Sequence, residues 1–239
     1  MFDRARELLG VLPEQGFDVE IGGTLPVGMG MGSSAALAVS FLRALASLEG
    51  RRIETSELAR LATEIEKLAH RTPSGIDPAV VASGRPILFR RGDSPVFLDL
   101  PEPFPLLAAT TGRASNTGEV VASVRALHDS DPVRIGGLFK RIGEISREGV
   151  ERLVARDLEG IGRLMDENHE ILVELTVSAP DVERLVENAR ASGALGAKVS
   201  GAGRGGIVLA LCPPGGTAGV ERSLRRAGAS GVYPLEASS

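Results

Sequence analysis

Aromatic residues are scarce in this chain of 239 residues, which has no tryptophan and one tyrosine. Proteins that bind single-stranded nucleic acid usually stack bases on aromatic side chains, so such stacking platforms are rare here. The formal net charge of −4 provides no basic footprint for a phosphate backbone either. We therefore expect no nucleic-acid partner.

Cysteine and long apolar runs are also lacking. Cys212 is the one cysteine of the sequence, which excludes a disulfide framework and indicates a reducing compartment. No apolar run is long enough to span a bilayer, and the charged segment Met1–Glu7 does not have the pattern of a signal peptide. The three histidines show no metal-ligand spacing. Together these features predict a cytoplasmic protein with no membrane partner.

Hydrophobic residues make up 43% of the chain, enough at this length for one large or two small domains. Helical and strand-like patterns mix in two blocks, which favours an α+β fold. Between the blocks Pro101, Pro103 and Pro105 recur at every second position, a spacing typical of a linker. We therefore predict an N-terminal domain over 1–104 and a C-terminal domain over 105–239.

A glycine-rich stretch, Pro26–Ala36, joins a predicted strand over 17–25 to a predicted alanine-rich helix over 37–48. Every second residue of Gly28–Gly32 is glycine, so a ligand can approach the backbone closely. The serines Ser33–Ser34 follow at the helix start, where free N–H groups favour an anion such as a nucleotide phosphate. The stretch lacks the lysine and the spacing of the known phosphate and dinucleotide loops, so a plain turn with a serine cap is the alternative.

A second helix is predicted over 57–70. Its apolar stripe, which must face the core, consists of Leu58, Leu61, Ile65 and Leu68. Glu66 lies on a face of small side chains, which leaves room for a ligand to approach its carboxylate. The alternative for Glu66 is an ordinary solvated helix position.

The segment His70–Pro78 follows this helix. Pro73 and Gly75 predict a turn. Asp77 and Pro78 have the pattern of a helix N-cap followed by proline at the first helical position. This capping role would explain Asp77 without any chemistry, and the residues alone leave it open beside a functional role.

The second block begins with a predicted strand over 106–110. Asp131 and Asp157 are predicted to cap two long helices. Near the C-terminus the glycine-rich loop Gly201–Gly206 lies between two predicted short strands, over 197–200 and 207–211.

Three stretches, taken in order, resemble the motifs of the GHMP small-molecule kinases, and the resemblance covers essentially the whole chain. Pro26–Ala36 is similar to the phosphate loop of that family, and Lys198–Gly206 is similar to its C-terminal glycine motif. His70–Asp77 resembles the His-Gly-x-Pro-Ser-Gly-x-Asp stretch of the members that phosphorylate mevalonate. The resemblance implies a two-domain fold, with a ribosomal-protein-like N-terminal domain and a ferredoxin-like C-terminal domain.

The resemblance also implies an activity, namely phosphoryl transfer from ATP to the 5-hydroxyl of mevalonate. Asp77 would be the catalytic residue that accepts or orients the hydroxyl proton, while Ser34 and Glu66 would hold Mg²⁺. The residues implied for ATP are Pro26, Gly28, Gly30, Gly32, Ser33, Ser34, Ala35, Gly201 and Gly203. The residues implied for the substrate are Ser74, Gly75, Thr117, Ser200 and Ala202.

The sequence departs from the family pattern in three places. The lysine-bearing strand segment that precedes the phosphate loop in the family has no match before Pro26, which implies an incomplete N-terminal domain with an uncovered sheet edge. Arg71 and Arg204 stand where the family usually has glycine. Two alternatives stay open, a kinase for a related alcohol such as phosphomevalonate and an inactive GHMP-fold protein that binds nucleotide or a partner chain. A homodimer is also left open.

Overall fold

A computed structural model describes residues 1–11, 18–23, 30–68, 73–100 and 102–236. The chain divides into two compact units. The first contains the described residues of Met1–Val27 and Gly32–Leu98, and the second contains those of Gly28–Met31 and Asp99–Ser238. The domain boundary predicted at residue 104 lies shortly beyond Leu98 and stays a prediction.

The first unit is mainly helical in its described residues. Its elements are α1 (Phe2–Leu9), α2 (Ser33–Leu48), α3 (Thr55–Glu66), α4 (Ile76–Ser83) and a two-residue antiparallel ladder of β1 (Ile87–Leu88) with β2 (Val96–Phe97). Helices α1, α2 and α3 share one apolar core that includes Ala5, Leu42, Leu58 and Leu61. The predicted helix start at Ser33 is confirmed.

The strand predicted over 17–25 is wrong in its described part, because residues 18–23 form neither helix nor strand. Val19 is 42% exposed and Ile21 is 60% exposed. Alternating apolar residues form a strand only when a partner strand and a buried face are present. The uncovered N-terminal sheet edge also has no counterpart among the described residues, where β1–β2 is the only ladder of this unit.

Helix α3 is shorter than the sequence predicted. It ends at Glu66, and Leu68 after it is 60% exposed, so the placement of Leu68 in the core is wrong. The other three stripe residues, Leu58, Leu61 and Ile65, are buried as predicted. Residues 69–72, which include the predicted end of this helix, lie outside the described residues.

Helix α4 begins two residues earlier than an N-cap at Asp77 would require, so that assignment is wrong. Its N-cap is Gly75, whose φ of 84° is left-handed, and Asp77 is the second residue of the helix. The hydroxyl of Ser74 accepts a hydrogen bond of 3.3 Å from the N–H of Ile76. Glycine adopts left-handed φ without steric cost, so the chain can enter the helix directly from the turn.

The second unit contains nine elements in its described residues. They are β3 (Pro105–Thr110), α5 (Thr117–Ser130), α6 (Pro132–Val154), α7 (Leu158–Glu174), α8 (Pro180–Ala191), β4 (Gly196–Ser200), β5 (Ile207–Leu211), α9 (Thr217–Arg226) and β6 (Gly231–Glu236). Asp131 and Asp157 cap α6 and α7 as predicted, because each carboxylate accepts a backbone N–H three residues on.

The four strands of this unit form an antiparallel sheet in the order β4-β5-β3-β6. The succession β3, α8, β4, β5, α9, β6 with this order is the ferredoxin-like arrangement, and α5 to α7 are inserted after β3. The α+β class predicted from the sequence is confirmed. One face of the sheet supplies Leu107, Val199 and Val208 to a core shared with α8 and α9.

Strand β4 lies at an edge of the sheet and is covered by α7. Asp166 Oδ1 accepts a 2.8 Å hydrogen bond from the N–H of Ala197. Helix α7 and strand β4 approach each other at two glycines. A Cβ atom on Gly196 of β4 would lie 2.2 Å from the carbonyl oxygen of Gly162 of α7. No helix in the described part of the chain is long and apolar enough to cross a membrane.

Candidate functional site

The N-terminus of α2 is built to receive an anion. Gly32 precedes the helix with a left-handed φ of 67°, and its carbonyl accepts a 2.9 Å hydrogen bond from the N–H of Ala36. The N–H groups of Ser33, Ser34 and Ala35 come before this first helical donor, so the helix itself has no acceptors for them. No acidic residue occupies the first turn. The helix dipole therefore favours a negatively charged group here.

Asp77 lies directly against this helix start. A Cβ atom placed on Gly32 would lie 3.9 Å from Cβ and 4.0 Å from Cγ of Asp77. Asp77 itself is exposed. A carboxylate and the N-terminus of α2 thus share one surface of the first unit, although 45 residues separate Gly32 from Asp77 in the numbering.

Glu66 ends α3 and is only 6% exposed, so its assignment as a solvated helix residue is wrong. Helix α3 packs against both α2 and α4, the helices that carry Gly32 and Asp77 at their starts. A buried carboxylate is stable only when polar or charged groups compensate its lost hydration. The carboxylate of Glu66 therefore lies inside the first unit, on a helix that packs against α2 and α4.

The segment before α4 is fixed by residues that the sequence did not single out. A Cβ atom on Gly75 would lie 3.6 Å from Oγ1 of Thr63 and 3.8 Å from the ring of Phe89. Arg91 donates a 2.9 Å hydrogen bond to the carbonyl of Pro73. These contacts hold the entry to α4, and with it the position of Asp77, against α3 and the residues after β1.

In the second unit the loop Gly201–Gly206 is paired with the segment that leads into α5. Gly206 accepts a 2.9 Å hydrogen bond from the N–H of Thr111, and its own N–H donates at 3.0 Å to the carbonyl of Arg113. The hydroxyl of Ser115 donates to the carbonyl of Gly203. Thr117, predicted to contact substrate, is the first residue of α5 and therefore follows this paired segment.

The buried His169 of α7 supports β4, the strand that leads into this loop. His169 Nδ1 accepts a 3.3 Å hydrogen bond from the N–H of Val199, which places the proton of the neutral ring on Nε2. Nε2 lies 3.1 Å from Glu183 Oε1, but it is poorly aligned for a hydrogen bond. Burial lowers the pKa of His169 although the charge of Glu183 opposes this. The ring is therefore neutral at ordinary pH.

A cavity of about 210 Å³ lies between α6 and α7 in the second unit. Most of its lining is apolar, and Asn168 and Lys198 add polar groups to it. Removal of the Lys198 amine from water lowers its pKa to about 8. Sequence periodicity gives no sign of this site, since it depends on how two helices pack beside β4.

Lys198→Met is expected to stabilise the protein at neutral pH. A pKa of about 8 in the folded protein, against 10.5 ordinarily, corresponds to a cost of up to about 3 kcal/mol for the charged amine. The unfolded chain binds the proton more tightly, so this cost is present in full below pH 8 and declines as the pH rises towards 10.5. Urea unfolding at pH 7 and pH 10 should show the larger gain at pH 7.

The control is Lys140→Met, which removes an amine whose side chain is 80% exposed on α6. It should change the free energy of unfolding little at either pH. An equal gain for Lys198→Met at both pH values would contradict a desolvated amine.

The structure thus brings Gly32 and Asp77 together in the first unit, and Gly203 together with the segment before Thr117 in the second. Pro26, Gly28 and residues 69–72 lie outside the described residues. Gly30 is exposed with a left-handed φ of 76°. Nowhere in the described ranges do three His, Cys, Asp or Glu side chains gather so that they could hold a metal ion.

Comparison with known proteins identifies the family. Residues 1–85 match the GHMP kinases N terminal domain, and residues 147–230 match the GHMP kinases C terminal domain. The chain is 38% identical over 205 residues to a mevalonate kinase of Thermococcus onnurineus and 36% identical over 205 residues to one of Pyrococcus horikoshii. Each match covers 83% of this chain and 60% of the relative.

A solved structure gives the same result. The crystal structure of L. major mevalonate kinase in complex with R-mevalonate matches with a TM-score of 0.79 at 30% identity, covering 87% of this chain and 67% of that one. The chain belongs to the GHMP kinase family. It spans about 60% of the length of the curated relatives named above.

Proposed function

We propose that this chain carries an ATP-dependent kinase activity that phosphorylates the 5-hydroxyl of mevalonate. The observation that carries the proposal is the proximity of Asp77 to Gly32 at the start of α2. A phosphoryl-transfer site needs an anion cradle and, next to it, a group that positions the attacking hydroxyl. The names of the relatives, and the R-mevalonate in the L. major structure, support mevalonate as the acceptor.

In this proposal the backbone from Gly32 to Ala35 receives phosphate oxygens of ATP, together with Gly30 and with Pro26 and Gly28 from the undescribed part of the loop. Asp77 accepts or orients the proton of the hydroxyl as its oxygen attacks the γ-phosphorus. Catalysis then rests on positioning and on neutralisation of charge, because phosphoryl transfer needs little covalent participation by the protein.

The residues present fit a magnesium ion. Ser34 offers a hydroxyl and Glu66 a carboxylate, and both are the oxygen donors that this hard cation prefers. Mg²⁺ in such sites usually takes one or two protein ligands and completes its shell with substrate phosphates and water. The ion would offset the phosphate charge.

The remaining assignments are also proposals. Gly201 and Gly203 would contribute backbone groups to ATP binding, and the substrate would contact Ser74, Gly75, Thr117, Ser200 and Ala202. Support comes from Gly201, where a Cβ atom would have nothing within 4 Å, so that its backbone is open to close approach. A cytoplasmic location and a homodimer complete the proposal.

Coupled release of ADP tests the activity. It is measured for the 239-residue chain and for the product of the whole open reading frame that encodes it, with mevalonate and with phosphomevalonate as acceptors. Turnover with mevalonate supports the proposal, and turnover with phosphomevalonate alone transfers it to that substrate. Nucleotide binding without turnover in either protein would overturn it in favour of an inactive nucleotide-binding protein.

Glu66→Gln is expected to raise the concentration of Mg²⁺ needed for half-maximal activity about tenfold, since the loss of one charged ligand contact costs on the order of 1.4 kcal/mol. The amide has nearly the same size, so the fold should persist. Glu64→Gln is the matched control, because Glu64 lies two residues earlier and pairs with Lys67 at 2.6 Å. An unchanged metal titration for Glu66→Gln would remove Glu66 from the site.

A further inference from the structure

Arg204 interrupts the glycine-rich loop Gly201–Gly206 and adopts a backbone conformation that suits glycine. Its φ is 53°, and in the described part of the chain only Arg156 and Thr176 share positive φ among non-glycine residues. A side chain in this region of backbone space is strained unless the surroundings hold it there. Two of the three residues, Arg204 and Thr176, contact each other directly.

Three hydrogen bonds join Arg204 to the turn between α7 and α8. Its N–H donates to the carbonyl of Val177 at 2.7 Å. Its guanidinium donates to the carbonyl of Thr176 at 2.9 Å and to the hydroxyl of Thr176 at 3.0 Å. A rigid planar guanidinium can satisfy both acceptors of one residue at once, which a lysine ammonium does less well.

The turn that accepts these hydrogen bonds is itself anchored in the core. Leu175 and Val177 are buried in the apolar cluster of the second unit. The N–H of Thr176 donates to Val173 at 2.8 Å, and that of Val177 donates to Leu172 at 2.9 Å. Arg204 therefore ties the loop to a fixed point of the fold.

Gly203 shows how closely the loop approaches this turn. A Cβ atom on Gly203 would lie 2.1 Å from the carbonyl oxygen of Val177, so no side chain fits there. On its other side the loop is held by Ser115 and Arg113. The loop is thus held on both sides by groups of the protein itself.

We propose that Arg204 is a positioning residue. Its hydrogen bonds to Thr176 order the backbone of the loop Gly201–Gly206 before a ligand binds. A loop of glycines alone loses much conformational freedom when it binds a ligand. A residue that imposes the conformation in the free protein removes part of this cost. The consequence for nucleotide or acceptor affinity rests on the proposed function, whereas the ordering of the loop does not.

The test is Arg204→Gly, which removes the guanidinium and also tolerates the left-handed backbone, so that strain introduced by another side chain cannot explain the result. Amide hydrogen exchange of the ligand-free protein should become about tenfold faster in the loop 201–206, as expected when about 1.4 kcal/mol of local ordering is lost. Amides of α8 should be unaffected. Arg204→Lys should restore protection only in part.

Thr176→Ser keeps the hydroxyl and should retain loop protection, while Arg222→Ala removes an exposed arginine of α9 and serves as the control. Unchanged exchange in Arg204→Gly overturns the inference. If exchange rises and the KM for ATP or mevalonate rises several-fold with kcat less affected, both the inference and the proposed function are supported. If exchange rises in Arg204→Gly but neither this variant nor the unmodified protein turns over substrate, the ordering of the loop by Arg204 is supported and the proposed function is not.

Discussion

Asp77→Asn is expected to lower kcat by about a thousandfold or more while ATP still binds, because a positioned base contributes about 10² to 10⁴ to such a step. The amide keeps the size of the carboxylate beside Gly32 but cannot accept the hydroxyl proton. Steady-state ADP release measures the loss, and titration with a fluorescent ATP analogue measures binding. A kcat close to that of the unmodified protein would show that Asp77 does not have this role.

The control for this variant is Asp93→Asn, on the hairpin turn of the same unit. Asp93 is exposed and pairs with Arg90 at 3.6 Å. Its loss should leave kcat and affinity unchanged. Since Asp77 also lies in the first turn of α4, its neutralisation removes a favourable dipole interaction of about 0.3–1 kcal/mol. Thermal unfolding separates that small loss of stability from the loss of catalysis.

Gly196→Ala is expected to lower the free energy of unfolding by about 3 kcal/mol or more, at the upper end of overpacking effects. The added methyl group would meet the backbone of Gly162 rather than a flexible side chain. Either α7 or β4 must therefore move, although both carry hydrogen bonds that fix their spacing. Urea unfolding of the purified chain measures the change.

Gly143→Ala provides the comparison, since a Cβ atom at Gly143 in α6 has nothing within 4 Å. It should raise stability by up to about 1 kcal/mol through helix propensity. Equal effects of the two substitutions would contradict the backbone contact between α7 and β4.

Local patterns predicted most of the second unit. Asp131 and Asp157 carry the capping preference in their own side chains, and the strands around Gly201–Gly206 are bounded by glycine. Such signals depend on residues near in sequence, so they survive in the folded protein. The prediction of a strand over 17–25 is wrong for residues 18–23, because an alternating pattern forms a strand only beside a partner strand, and local sequence does not show whether one is present.

The candidate site was harder to predict because its two key carboxylates are placed by tertiary contacts. Spacing alone left open that Glu66 is a surface residue and that Asp77 is an N-cap. Glu66 is instead buried at the end of α3. The left-handed Gly75 moves the start of α4 ahead of Asp77, whose side chain then lies close to Gly32. Roles for both residues come from the family resemblance and stay predictions.

The hydrogen bonds on the outer edge of β4 have a consequence for self-association. Asp166 and His169 of α7 already occupy the N–H groups of Ala197 and Val199 on that edge. A strand from another molecule would have to displace both side chains before it could extend the sheet there. The chain is therefore protected on this side against polymerisation by strand addition, and contacts between copies there would have to form through side chains.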